Sequence, residues 1–557
     1  MTELDWLHEA AGDDGQPLGV VVGGSLSTGL EVRLRSPRAV EEAKVGTFVT
    51  VQGAGHRYFC IITDLSLQSA DSRFAAAAAD ADPAIAGVLS GTSAYAIAKV
   101  TPMLMTDIGG EAPKPARSLP GHFAPARRAS NDDVQAVFGS EDAGHIHVGS
   151  PLDMEDTRVC LDLKELVKRS NGVFGKSGSG KSYLTRILLA GILQRGVATN
   201  LVFDMHSEYG WQSRGERGYA AKGLKQLFPA QVAVFTLDEQ SSRQRGVSTD
   251  FVARIGFDEI EADDIAILAS TLRITDLGVQ ACHRLEQRLG DGWIRRFLDM
   301  GADELNTVAD QLRENTSTLD ALRRRLGQLE RLDFLVDSAD GASANGAGSE
   351  SASGRGTVRR VLEHLQSGRH VVLEFGRHGD NLTAYLLVAN LLTRRIHAEY
   401  RQRTERALAT NGQGPPPLVI TIEEAHRFLS PGIASQTIFG TIAREMRKYG
   451  VTLLVVDQRP SGIDEEVLSQ IGTRITCQLD NERDVDAVLT GAHGARELRG
   501  VLSRLESQQQ ALFFGHALPM PVVVRTRDYD EAFYREMALP GHGAPEQRRR
   551  DKRDLFG

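Results

Sequence analysis

The run Gly175-Lys-Ser-Gly-Ser-Gly-Lys-Ser182 constrains this chain more than any other stretch. It fits GxxxxGK[S/T], and its flanks are those such a loop requires: Asn171 to Phe174 reads as a strand end and Tyr183 to Leu193 as a helix. Glycines in that turn let backbone amides converge on phosphate, and the helix N-terminus adds a favourable dipole. Gly178 and Gly180 supply the conformational freedom, Lys181 is placed to reach the β- and γ-phosphates, and Ser182 to contact Mg²⁺. Gly175, Lys176, Ser177, Gly178, Ser179, Gly180, Lys181, Ser182 and Tyr183 thus form the candidate nucleotide-binding segment, with ATP and Mg²⁺ as the expected cofactors. A chance glycine-rich turn would not be expected to carry both flanks.

A nucleotide site also needs a carboxylate for the magnesium water shell and a group that orients the attacking water. In open α/β sheets such groups stand at the carboxyl ends of strands. The stretch LVITIEEAH, residues 418 to 426, delivers Glu423 and Glu424 at such an end. Paired acids also favour the first turn of a following helix, by under about 1 kcal/mol; beside a phosphate loop the catalytic assignment is preferred, with Glu423 on the metal and Glu424 on the water. Asp204 ends the strand NLVFDM, and Glu208 in the following HSEYG fits a place near the nucleotide, a subunit edge or a solvated turn. Gln458, after VTLLVVD, is placed to sense the γ-phosphate or position water. Charge on the transferred phosphoryl also calls for arginine. Arg444 and Arg447, three apart in IAREMRKYG, are the candidates; a solvated basic helix face explains them equally well.

These motifs sit in a segmented chain of 557 residues, too long for one core. Residues 1–107 show short alternating runs broken by glycine, which predicts a small antiparallel β-barrel. Phe74 to Ala81 reads as a loop or short helix within it, and residues 108–130, rich in Pro, Gly and Ala, as a linker. Strands and helices then alternate over 131–257 and 357–526, predicting a RecA-like α/β core with a largely parallel sheet. Between the two parts lie a helical insertion, 258–336, and a Gly/Ser/Ala tract, 337–356, read as a flexible loop. Residues 527–557 read as a C-terminal extension or tail.

No apolar run approaches the roughly 20 residues of a membrane span, and the acidic start MTELDWLHEAAGDDG lacks the form of a secretory signal. A cytoplasmic protein without a membrane partner is expected. The four scattered cysteines read as reduced, buried thiols. A net charge of −9 excludes a protein that coats nucleic acid over its whole surface, though not one with a local basic channel.

Taken in order, GVFGKSGSGKSYLT, FDMHSEYG, VITIEEAHRFL, IAREMRKYG and VVDQRPSGIDEEVLSQIGTRI resemble the HerA branch of the FtsK/HerA superfamily of P-loop translocases. The β-rich N-terminus is similar to the barrel of that family. The resemblance implies a homohexameric ring with ATP sites between subunits, DNA threaded through its pore, and a partner nuclease of NurA type or another effector such as a sirtuin-like NADase. It implies that Lys181 and Ser182 bind phosphate and Mg²⁺, that Glu424 is the catalytic carboxylate and Gln458 the sensor, and that Arg444 or Arg447 acts in trans. The barrel would dock the partner. Glu423 stands where aspartate is commoner. Arg214, Arg217 and Lys222, and Arg377 with His378, are candidate contacts to the DNA backbone; ordinary surface-loop roles fit them as well.

An ATP-driven DNA translocase or helicase is therefore the leading expectation, in DNA-end processing or anti-phage defence. An ATP-regulated scaffold that activates an effector is the alternative. A secretion or conjugation ATPase is disfavoured by the barrel and the missing span, and an ABC-type ATPase by the lack of an LSGGQ-like segment between the phosphate loop and Glu424.

Overall fold

The computed structural model describes residues 17–35, 37–69, 94–107, 113–152, 154–214, 220–338, 356–434, 437–492, 494–506 and 509–538. Phe74 to Ala81, most of the 337–356 tract and the last residues of the tail fall outside them. The chain divides into two compact units: Met1–Leu166 with Gly172–Leu184 and Gly472–Asp528, and Val167–Asn171 with Thr185–Ile471 and Tyr529–Gly557.

In the first unit, six antiparallel strands close into a barrel in the order Gly29–Leu34, Pro17–Ser25, Pro125–Arg128, Phe48–Gln52, His56–Ser69 and Ala94–Asp107, which pairs back to Gly29–Leu34. Inward residues such as Leu18, Val32, Val49, Val51, Cys60 and Val100 form its core. The pairing of His56–Ser69 with Ala94–Asp107 carries two bulges, one in each strand, at Thr63 and Met103.

Within the segment 108–130, expected to be a linker, two short strands join this barrel sheet. Pro125–Arg128 pairs with Pro17–Val20 on one side and Val49–Val51 on the other, closing the sheet, while Lys114–Pro115 adds to the Ala94–Asp107 edge. Its PARR sequence has only Ala126 to bury, so the strand is held by backbone pairing and gives no apolar alternation to read.

The same unit carries the strand that leads into the phosphate loop and a run of antiparallel strands. Thr473–Cys477, Gln510–Gly515, Val522–Thr526, His145–Pro151 and Val159–Asp162 pair in succession. The expected parallel sheet therefore has an antiparallel region, formed from late strands and from the segment just after the barrel.

The second unit holds the parallel strands, ordered Phe251–Val252, Val232–Thr236, His370–Glu374, Thr199–Asp204, Leu418–Glu423 and Val451–Asp457. The last four are buried along their entire lengths. Burial on both faces requires continuous apolar and β-branched runs, which is how these stretches read. Their register brings acidic residues level: Asp204 pairs with Glu374, and Phe203 pairs with Ile422, one residue before Glu423.

The insertion is helical, from Ala262–Ile267 to Thr316–Leu326, with capped starts at Thr275 and Asn315. Trp293 lies at its centre and donates to the Ile260 carbonyl at 3.2 Å. Asp264 ties it to the long helix Leu382–Thr410, accepting from Arg394 at 2.7 Å and Asn390 at 3.1 Å. The tail begins with order: Glu531–Ala538 is a helix that buries Phe533, Tyr534 and Met537. All four cysteines are free and buried. Among the described residues, no helix is long and apolar enough to cross a membrane.

Candidate active site

The phosphate loop follows from its sequence residue by residue. Gly175, at φ 153°, leaves no room for a side chain, since a Cβ would meet the Ser179 hydroxyl at 2.6 Å and the Cys477 Cβ at 2.8 Å. Gly178 and Gly180 take φ 78° and 97°, backbone conformations that favour glycine. Ser179 donates its hydroxyl to the Lys176 carbonyl at 2.8 Å, and the Lys176 amide donates to the Gln478 carbonyl at 2.9 Å. Lys181 starts the helix Lys181–Arg195, is buried, and donates its ammonium to the Lys176 carbonyl at 2.7 Å. Ser182 and Tyr183, in the same first turn, are half-buried, and Ser177 is exposed. Lys176 points away and pairs with Asp480 at 3.0 Å. A glycine-shaped turn, a lysine at the first helical position and a hydroxyl beside it are the framework of a triphosphate-binding loop.

In the second unit, the strand ends carry a layered set of acids. Asp204 is fully buried and caps the next turn: its carboxylate accepts from the amides of Glu208 at 2.8 Å, Tyr209 at 2.8 Å and Gly210 at 3.2 Å. Glu374, level with it, is fully buried and ion-paired with Arg245. Burial raises the carboxyl pKa of both Asp204 and Glu374, with Asp204 adding to the rise at Glu374.

Glu423 accepts the Tyr209 hydroxyl at 2.9 Å on Oε1, while its carbonyl accepts the Tyr385 hydroxyl at 3.0 Å. Burial, together with the neighbouring Asp204 and Glu208 charges, pushes its pKa up to about 8. Its other oxygen, Oε2, is buried with no hydrogen-bond partner among the described residues. A buried acceptor left open at a strand end fits a metal-bound water.

Glu424 differs from its neighbour in every respect. It is partly exposed, it adopts φ 48°, and its carboxylate accepts from Gln458 Nε2 at 3.1 Å. A left-handed glutamate is a strained residue held by its surroundings. The holding group is Asp457, which accepts the His426 amide at 2.7 Å, its ring Nδ1 at 3.0 Å, and the Arg459 amide at 2.6 Å. The bond to Asp457 raises the His426 pKa. Glu424, Gln458, His426 and Asp457 thus form one cluster at the ends of two adjacent parallel strands.

Arg444 lies in the α-helix Ile438–Glu445, and Arg447 in the 3₁₀ turn Met446–Tyr449 that follows it without a break. Of the DNA candidates, Lys222 pairs with Glu531 at 3.1 Å and Arg377 pairs with Asp333; His378 also reaches Asp333, at 2.8 Å. Arg214 stands in a two-residue strand, and Arg217 lies outside the described residues.

Residues 146–396 match the family described as "Helicase HerA, central domain", and residues 18–104 match "HAS barrel domain". The chain is a HerA-type P-loop ATPase. Among its relatives, the "DNA double-strand break repair helicase HerA" of Pyrococcus furiosus is 25% identical over 414 residues, covering 72% of this chain and 73% of that protein. The protein of the same name from Saccharolobus solfataricus is 24% identical over 411 residues, covering 72% of each. Among solved structures, VirB4 of Thermoanaerobacter pseudethanolicus covers 71% of this chain and 99% of its own at 13% identity, with a TM-score of 0.45.

Several residues that build this HerA-type site went unnoticed in the sequence. Glu374 had a usable signal, because VVLEFG runs a buried strand into an acid just as LVITIE does. Asp457, at the end of VTLLVVD, had the same signal, whereas Arg245 and Tyr385 had none. Tyr209 lies within FDMHSEYG, but nothing in its spacing announces a bond to a glutamate 214 positions on.

Proposed function

We propose that this HerA-type ATPase is an ATP-driven DNA translocase or helicase, working as a homohexameric ring with a partner nuclease or another effector in DNA-end processing or anti-phage defence. The observation that carries this reading is the Glu424 cluster, a strained carboxylate held by Gln458 and presented beside the buried, half-satisfied Glu423. The names of the relatives, DNA double-strand break repair helicases, support the choice of DNA as the substrate.

The roles follow from donor type and position. The loop amides and Lys181 hold the phosphates of ATP, and the Ser182 hydroxyl and the Glu423 carboxylate hold Mg²⁺ and its water shell. Bound there, Mg²⁺ neutralises charge on the phosphates. Glu424 accepts a proton from the attacking water, with Gln458 fixing its carboxylate. Arg444 or Arg447 serves the neighbouring subunit's nucleotide. Arg214, Arg217, Lys222 and Arg377 are the proposed backbone contacts; DNA would then compete with Glu531 for Lys222 and with Asp333 for Arg377.

The test is ATP turnover by the purified chain with and without linear duplex DNA, alongside strand displacement or translocation on the same DNA and a solution mass. Stimulation by DNA, with ATP-dependent movement and a mass of six chains, is expected. ATP turnover indifferent to DNA, with no movement, overturns the translocase reading. In that case an effector fully active with a Glu424→Gln ring would point to the scaffold alternative.

A further inference from the structure

We propose that Tyr209 is a positioning residue for the Glu423 carboxylate, and that the turn after the Thr199–Asp204 strand exists to hold its phenol in place. This inference rests on the ATPase reading above. Tyr209 is fully buried, and its hydroxyl donates to Glu423 Oε1 at 2.9 Å. That bond fixes the rotation of the carboxylate, so that Oε2, the oxygen without a partner, keeps one direction.

The phenol is itself braced from three sides. Asp204 binds the amides of Glu208, Tyr209 and Gly210, fixing the backbone of the turn. Ser207 enters it at φ 55°, a conformation that the three bonds sustain. Arg186, buried on the helix that follows the phosphate loop, donates to the Glu208 carbonyl at 2.7 Å and the Ser213 hydroxyl at 2.6 Å. Its guanidinium lies 5.9 Å from the Tyr209 ring centroid and 5.7 Å from that of Tyr529. Gly210 completes the turn because a Cβ there would sit 2.6 Å from Glu374 Oε1.

A second phenol grips the same residue from another element, since Tyr385, on the helix Leu382–Thr410, donates to the Glu423 carbonyl at 3.0 Å. One tyrosine thus sets the backbone of Glu423 and the other sets its carboxylate. A purely packed tyrosine would need neither its hydroxyl aimed at a carboxylate nor a three-amide clamp beneath it.

The experiment is Tyr209→Phe, which keeps the ring and removes the donor. Two quantities are read: the split of ATP turnover into kcat and KM, and the affinity for a non-hydrolysable ATP analogue in Mg²⁺ and in EDTA. With positioning, kcat falls roughly 10-fold while KM stays within about 2-fold, and the affinity gained on adding Mg²⁺ shrinks several-fold while the EDTA value holds. In a Glu423→Gln background, adding Tyr209→Phe costs nothing further, because the two act as one unit. A wild-type chain that turns over no ATP breaks the ATPase reading instead. An active wild type with Tyr209→Phe unchanged in kcat and in Mg²⁺-dependent affinity overturns the positioning role alone. Should Tyr209→Phe fail to fold, Tyr209→3-fluorotyrosine keeps ring and hydroxyl and strengthens the donor; an unaltered Mg²⁺ dependence there overturns the proposal equally.

Discussion

The phosphate loop and the acidic strand ends are built on opposite principles. The loop is made largely of backbone: glycines at 175, 178 and 180 with positive φ, one buried lysine, Lys181, and bonds that run mostly between residues five or fewer apart. The strand ends are made of side chains: Asp204, Glu374 and Glu423 are buried, with Asp204 bonded to turn amides, Glu374 to Arg245 and Glu423 to Tyr209 through one oxygen. The loop therefore owes little of its shape to the groups that would touch a ligand. At the strand ends the same groups carry both the fold and the chemistry. Loop variants should lose binding and keep stability, whereas strand-end variants should lose stability as well.

The largest effects belong to the residues that face the ligand. Lys181→Ala removes one charged donor to the phosphates and should lower kcat/KM for ATP by about two orders of magnitude or more. Its urea midpoint should move less than that of the strand-end variants, because the bond its ammonium donates goes to a carbonyl of the same loop, five residues away. Glu424→Gln should lower kcat by roughly 10²- to 10⁴-fold with analogue affinity little changed. Gln at 424 keeps the same backbone and an oxygen that can accept from Gln458, so its urea midpoint should change little. A large drop in urea midpoint in Lys181→Ala would erase the contrast between the two regions.

How much of this was visible in the sequence follows the same division. The loop could be read because its parts are contiguous and its flanks have fixed types. Glu423 and Glu424 could be read because a buried strand that ends in two acids is unusual. The tyrosine clamp could not, since Tyr209, Tyr385 and Glu423 come from three elements and only the register of Phe203 against Ile422 brings the first and last together. The barrel shows the limit from another side: the strand Pro125–Arg128 buries a single alanine and pairs through its backbone, so its composition read as linker. Backbone pairing leaves no mark in a sequence unless side chains alternate with it.

Strand-end variants come next in size. Asp204→Ala leaves the amides of Glu208, Tyr209 and Gly210 without their acceptor, a cost of about 3 kcal/mol in urea unfolding. Relief of the like charge at Glu374 opposes this, since each carboxylate there is disfavoured by burial and by its neighbour. Three orphaned amides outweigh one relieved repulsion, so the variant should be less stable. A more stable Asp204→Ala would mean that the acidic layer is a burden on the fold, tolerated for function alone.

His370, at the start of the strand that ends in Glu374, predicts a pH dependence of definite sign. It is buried, its Nδ1 accepts the Asn200 amide at 3.0 Å, and burial lowers its pKa from 6.5 to about 3. Between those values the unfolded chain binds a proton that the folded chain refuses. The stability it permits is full above about pH 6.5 and falls as pH drops toward 3, by up to about 1.4 kcal/mol per pH unit. In His370→Asn that slope, read from urea midpoints between about pH 6.5 and 4.5, should be smaller by one proton. An unchanged slope would show that His370 is not what couples this strand to pH.

A small effect on stability is expected at Arg377, and it separates structural from nucleic-acid roles at the edge of the acidic region. Its partner Asp333 is 54% exposed and Arg377 itself 53%, so the pair is well hydrated. Arg377→Ala should therefore cost under about 1 kcal/mol. If Arg377 also meets the DNA backbone, the same variant weakens DNA binding alike across sequences and lowers the slope of log affinity against log salt by about one. Asp333→Ala then becomes the informative complement, because freeing Arg377 from its internal partner should strengthen DNA binding where losing Arg377 weakens it. Equal DNA affinity in both variants would confine Arg377 to tying the helical insertion to the end of the His370–Glu374 strand, and the search for DNA contacts would move to other residues.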